Sequence, residues 1–168
     1  MKIICLTGGL ASGKSTASEY LGTLGADVID ADRLGHRVYD PGTQAYRKVI
    51  DTFGEEVVSD DNQIDRKILG GKVFGKPEEL KKLTNIVWPE IRRLAGLEIS
   101  GFDAINPDTT IVLEAAVLFE AGWEDLGEEI WVVSCATGSK CTSIRPVVSS
   151  LPTQTTWTQG RKRPHADL

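Results

Sequence analysis

Apolar residues fall along this chain in two rhythms, short unbroken runs and longer stretches with helical spacing. Residues 2–7 (KIICLT) form a brief apolar run ending at paired glycines, which reads as a strand buried on both faces because a helix needs more length. Residues 14–24 read as a helix, and residues 26–29 repeat the strand signal. Strand, loop, helix and strand in that order make a β-loop-α-β unit, whose strands lie parallel in one sheet through a right-handed crossover. Helical patterns then dominate over 43–53, 65–74 and 78–101, punctuated by Gly54, Pro77 and Gly101, and predict a helical insert at about 43–101 that faces a substrate. The β-branched composition of core strands returns at 109–113 (TTIVL) and 129–134 (EIWVVS), with a helical stretch around Leu118 between them. The fold class that follows is α/β, a parallel sheet flanked by helices.

Composition sharpens this picture at its end. Of 24 acidic and 19 basic side chains, the last 33 residues hold one and five; they also hold ten Ser or Thr and three Pro, with no period of 2 or 3.6. Residues 1–134 therefore read as one domain and 135–168 as an irregular, poorly ordered tail. The basic run Arg161-Lys162-Arg163 within it reads as a solvated terminus. A length of 168 residues at 40% hydrophobic composition fits one compact core. The net charge of -5 argues against nucleic acid as a partner, since proteins that track phosphate backbones carry a clustered basic excess. No apolar run approaches the roughly 20 residues that span a bilayer, and the chain opens directly on a motif-bearing strand. A cytoplasmic protein acting on small molecules is the default expectation, mitochondrial association being compatible with it. Cys5, Cys135 and Cys141 lack metal-type spacing with the two histidines and read as buried or incidental thiols.

Gly8-Gly9-Leu10-Ala11-Ser12-Gly13-Lys14-Ser15 matches G-x-x-x-x-G-K-[ST] in full, between a predicted strand and a predicted helix. Glycines let such a loop fold back so that successive backbone N–H groups face one anion, and the following helix adds the positive end of its dipole. Residues Gly8 to Thr16 are thus expected to cradle a nucleoside triphosphate, with Lys14 reaching the β- and γ-phosphates and the Ser15 hydroxyl ligating Mg²⁺. After the second strand, Ile29-Asp30-Ala31-Asp32 sets two carboxylates at a carboxyl strand end, where open α/β sheets place ligands. Asp32 has two readings: orienter and base for an acceptor hydroxyl, or cap of the next helix, a role equally open to Asp30.

With these residues in view, the chain resembles the dephospho-coenzyme A kinase family, and in particular the kinase portion of animal-type bifunctional coenzyme A synthase. The resemblance is carried by LTGGLASGKST, ADVIDADRLGHRVYDPG, IDRKILGGKVFG and VLEAAVLFEAGW. It implies a P-loop kinase-like fold and ATP-dependent phosphorylation of the ribose 3′-hydroxyl of dephospho-coenzyme A, with ATP and Mg²⁺ as donor and metal. Asp32 and Lys14 become the catalytic residues, and Arg66 a substrate-binding one, in competition with a plain surface ion pair. Glu114 matches an acidic residue at a core strand end, open to holding a Mg²⁺-bound water or capping the next turn. Glu120 matches an acidic residue of the family that an exposed position would equally explain. Trp88-Pro89 replaces the bacterial His-Pro and agrees with the animal type; Trp88 reads as core or as a lining of the acceptor pocket.

Past residue 134 the family's charged helical lid, closing strand, turn near the adenine and final helix are not recognisable. Lids of that kind supply cations worth about 10³ to 10⁵ in rate. The readings left open are an active dephospho-coenzyme A kinase, an inactive nucleotide- or coenzyme-A-binding isoform, and another small-molecule kinase with the same loop.

Overall fold

The computed structural model describes residues 1–134 and the backbone of 135 and 142–147. Its centre is a sheet in the order β2-β3-β1-β4-β5, from β1 (Lys2–Gly8), β2 (Asp27–Asp30), β3 (Thr110–Glu114), β4 (Glu129–Cys135) and β5 (Thr142–Val147). The first four are mutually parallel, and β5 runs antiparallel to β4. Ile4, Cys5, Leu6 and Thr7 of β1, and Ile111 to Glu114 of β3, are all buried, which is why these strands read as continuous runs rather than alternating ones.

Register sets up everything that follows. Leu6 and Asp30 both pair with Glu114, so the carboxyl ends of β1, β2 and β3 finish level. One face of the sheet is covered by α2 (Ala31–Arg37) and the long α5 (Pro77–Ile105), through Leu34, Ile91, Leu94 and Ala95 packed with Ile29, Ile111 and Leu113. The other face meets α1 (Lys14–Thr23), whose Ala17 packs on Leu6, Val112 and Val133. The helical middle holds a smaller cluster of its own: Val49 and Phe53 of α3 (Gln44–Phe53), Leu69 and Val73 of α4 (Arg66–Val73), with Val57 and Ile64 between them. Leu83 and Ile86 of α5 lean on both clusters, so one helix joins the helical middle to the sheet.

Two expectations are corrected. The stretch around Leu118 is a single helical turn, because Gly122 adopts φ +67° and Trp123 N–H reaches back to the Leu118 carbonyl at 3.0 Å, closing the helix as soon as it starts. Part of the tail expected to be irregular is β5, an edge strand whose Pro146 speaks against a strand in sequence and which pairs antiparallel with β4. The remaining tail residues, 136–141 and 148–168, lie outside the described ones. Among the described residues no helix is long and apolar enough to cross a membrane.

Candidate functional site

The glycine-rich segment links β1 to α1 through backbone that other residues adopt with difficulty. Gly8 has φ +156°, and a Cβ there would stand 2.3 Å from the Val133 carbonyl oxygen and 2.8 Å from Ser12 Oγ. Ala11 sits at φ 57°, a left-handed conformation unusual for a residue with a Cβ. Gly13 then caps α1 at φ 90° with no side-chain acceptor for the first-turn N–H groups, leaving them for an anion. Ser12 to Thr16, with Ala11, line a recess of about 250 Å³. Among the described residues Ser12 Oγ is buried with no hydrogen-bond partner, a polar hydroxyl placed inside the loop. Lys14 folds over the loop and donates to the Gly9 carbonyl at 3.2 Å, while Leu10 projects fully exposed.

Behind the loop, Glu114 at the end of β3 is 6% exposed and ties the sheet to α1. Ser15 Oγ donates to its Oε1 at 2.9 Å and Ser18 Oγ to its Oε2 at 2.5 Å. Of the two readings for Glu114, the turn-cap one is unsupported, since both carboxylate oxygens are directed at α1. Ser18 is a residue that sequence reasoning missed. Its spacing was the signal: three positions after Ser15, it shares that residue's helix face.

The acidic pair divides its labour. Asp30 is the cap of α2, accepting from Asp32 N–H at 2.9 Å and Arg33 N–H at 3.1 Å. Asp32, relieved of that duty, is exposed on the first turn. Its carboxyl is pushed above the usual range, first by desolvation and then by the charges of Asp30 and Glu114, with Lys14 and His36 pulling the other way. One residue therefore feels the loop lysine and both neighbouring carboxylates, so the three strand ends act on one another electrostatically.

Arg66 makes no ion pair with Asp65, which caps α4 instead by accepting from Lys67 and Ile68 N–H. The Arg66 guanidinium reaches α2, contacting the His36 ring, donating to the His36 carbonyl at 3.2 Å and lying over the Tyr39 ring at 5.6 Å. It pins the helical middle to the helix that carries Asp32. Trp88 is part-buried against the main core, and Glu120 is exposed on the turn after β3. The Cys5 thiol is pushed up to about 12, mainly by burial and then by Asp125 and Glu124, which removes it from any nucleophilic role.

Beside the loop a cleft of about 780 Å³ runs between α1 and α2, reaching Glu98 of α5. Ser15, Ser18, Asp30 and Glu114 line it, and Asp32 stands at its margin one helical turn before the lining residue His36. A phosphate cradle, a hydroxyl-bearing first turn, a buried carboxylate behind it and an exposed carboxylate beside it thus share one edge of the sheet. Such a constellation can position an anion and a hydroxyl in line for group transfer.

A family model described as Dephospho-CoA kinase matches residues 2–146, reaching β5. Relatives include the dephospho-CoA kinases of Carboxydothermus hydrogenoformans, 47% identical over 79% of this chain and 64% of that protein, and Geobacter sulfurreducens, 45% identical over 79% and 67%. The chain spans about two thirds of the length of these relatives, 63% in that of Moorella thermoacetica. A solved dephospho-CoA kinase from Campylobacter jejuni is 32% identical with a TM-score of 0.62, covering 77% of this chain and 64% of its own. The crystal structure of TT1252 from Thermus thermophilus is 34% identical, with a TM-score of 0.64 over 79% and 65%. With the loop, the strand-end carboxylates and the sheet order all in place, the family match over residues 2–146 is decisive: the chain belongs to the dephospho-CoA kinase family.

Proposed function

We propose that the chain transfers the γ-phosphoryl group of ATP to the ribose 3′-hydroxyl of dephospho-coenzyme A, giving coenzyme A and ADP. The observation that carries the proposal is the gathering of Lys14, Ser15, Glu114 and Asp32 around the level carboxyl ends of β1, β2 and β3. In this reading residues Gly8 to Thr16 hold the donor phosphates through backbone N–H groups and the α1 dipole. Lys14 leaves the Gly9 carbonyl for the β- and γ-phosphate oxygens and offsets the charge that spreads over the transferring group. Asp32 orients the acceptor hydroxyl and receives its proton as the new P–O bond forms and the bond to the β-phosphate oxygen breaks. A raised carboxyl suits that task, because a base nearer neutrality holds a transferred proton better.

The donor set fits Mg²⁺, which prefers hard oxygen ligands at few protein positions and keeps several waters: Ser15 Oγ would be the direct ligand, and Glu114, already bonded to that hydroxyl, would hold a water of its shell. The ion would neutralise phosphate charge. Arg66 is assigned to the acceptor side, where it sets the position of α2 through His36. Trp88-Pro89 supports the closer likeness to the animal-type enzyme, and a cytoplasmic setting belongs to the same proposal. The test is an acceptor panel, in which dephospho-coenzyme A should be phosphorylated at the 3′-position by mass spectrometry while simple nucleosides and sugar acids are not. A preference for a nucleoside or sugar acid would overturn the assignment of acceptor.

A further inference from the structure

We propose that Arg33 binds the diphosphate of a nucleotide-type acceptor and so decides which hydroxyl-bearing molecules the cleft admits. The inference rests on the phosphotransferase reading above and names a binding residue within that same site. It starts from the charges inside the cleft. Four carboxylates line it, those of Glu19, Asp30, Glu98 and Glu114, against two guanidiniums, Arg33 and Arg37. Arg37 is already committed, its Nη1 standing 2.6 Å from Glu98 Oε1. Arg33 is not: among the described residues its side chain has no ion pair and no hydrogen bond, although its backbone N–H is engaged by Asp30. Arg66, the arginine that the family resemblance singles out, does not line the cleft and spends its guanidinium on His36 and Tyr39.

An anionic acceptor entering a cleft lined by four carboxylates needs a cation that is not already neutralised, and among the described residues that line it Arg33 is the one arginine in that state. Its planar fork meets two phosphate oxygens at once, which a lysine cannot do. Position on the helix matters as much as charge. Asp32 and Arg33 are consecutive on α2 and diverge by about 100° around its axis, so one side chain lies in the cleft and the other at its margin. A ribose bearing a diphosphate at one end and the reacting hydroxyl at the other has both groups to offer, the phosphates to Arg33 and the hydroxyl to Asp32.

The experiment measures binding of dephospho-coenzyme A and of adenosine, which lacks the diphosphate, to the 168-residue chain and to Arg33→Gln by isothermal titration calorimetry. Steady-state kinetics accompany it, with Arg47→Gln, on the exposed side of α3, as control. Arg33→Gln is expected to weaken dephospho-coenzyme A about ten- to hundredfold, the worth of a charge-assisted hydrogen bond. Adenosine binding and the KM for ATP should move less than about twofold, and Arg33→Lys should recover part of the loss. Equal effects on both ligands, or no effect on either, would overturn the role of Arg33. Absence of turnover in the unaltered chain would defeat the phosphotransferase reading while the binding comparison still decides Arg33. Failure of that chain to bind dephospho-coenzyme A would overturn both.

Discussion

Glu114→Gln separates what a buried carboxylate does for the fold from what it does for the reaction. Glu114 lies at 6% exposure with two hydroxyl partners, Ser15 at 2.9 Å and Ser18 at 2.5 Å, and no ion pair among the described residues. Hydrogen bonds to a charged group contribute about 1.5–3 kcal/mol each, but a buried carboxylate carries a desolvation cost of several kcal/mol, comparable to the two bonds together. Glutamine keeps the shape, removes the charge, and still offers a carbonyl to one serine. Ser18 has a fallback in the Ser15 carbonyl, 3.0 Å from its hydroxyl, and Ser15 is exposed to solvent. Gain and loss nearly cancel, so stability should change by no more than about 1 kcal/mol, or about 4 °C in Tm for a chain of this size. Activity should not be so indifferent, because an amide cannot hold a metal-bound water as a carboxylate does; outer-shell changes of this kind cost about 10- to 100-fold. Thermal melting and turnover at graded Mg²⁺, run on the same preparations, read the two quantities apart. Turnover within about twofold of the parent would refute the metal-side role, and a Tm loss well beyond 4 °C would refute the claim that Glu114 is kept for chemistry rather than for stability.

Other substitutions test neighbouring steps. Lys14→Ala should abolish turnover by about 10³-fold or more with the melting curve nearly unchanged, since its one bond is to an exposed loop carbonyl; a similar kcat would exclude it from the transition state. Asp32→Asn should lower kcat by about 10²- to 10⁴-fold and yet leave Tm equal or higher. The sign follows from the raised carboxyl: the folded chain holds that proton more firmly than the unfolded one, so ionisation of Asp32 lowers stability as pH rises from its ordinary value through its raised one. A drop in Tm at pH 7 for Asp32→Asn would contradict this. Gly8→Ala forces a methyl to 2.3 Å from the Val133 carbonyl and should cost about 1–3 kcal/mol, read as a lower urea midpoint; an unchanged midpoint would show that β1 and β4 separate freely at that point.

The parts of this molecule legible in its sequence are those where one local rule acts alone. The phosphate loop needs only its glycines, lysine and serine, and the runs of β1 and β3 announce strands covered on both faces. Asp30 and Asp32 are legible as a pair, but which one caps and which is free depends on the turn from β2 into α2, where Asp30 Oδ1 collects two N–H groups. What stayed hidden arises between distant segments. The bond from Ser18 to Glu114 joins residues 96 positions apart, and the commitment of Arg37 to Glu98 spans 61. β5 pairs with β4 at the sheet's edge, where Pro146 is tolerated although it argues against a strand when read alone. The helix expected at Leu118 stops after one turn because Gly122 permits a left-handed exit.

The central claim is that the residues at the ends of β1, β2 and β3 form one phosphotransferase site. Coupled-assay turnover of the purified chain with ATP, Mg²⁺ and dephospho-coenzyme A, against Lys14→Ala under the same conditions, tests it most directly. The account predicts ADP and coenzyme A formed in equal amounts by the unaltered chain and neither by the variant. Binding of ATP without any coenzyme A formed, or equal turnover by both proteins, would contradict it.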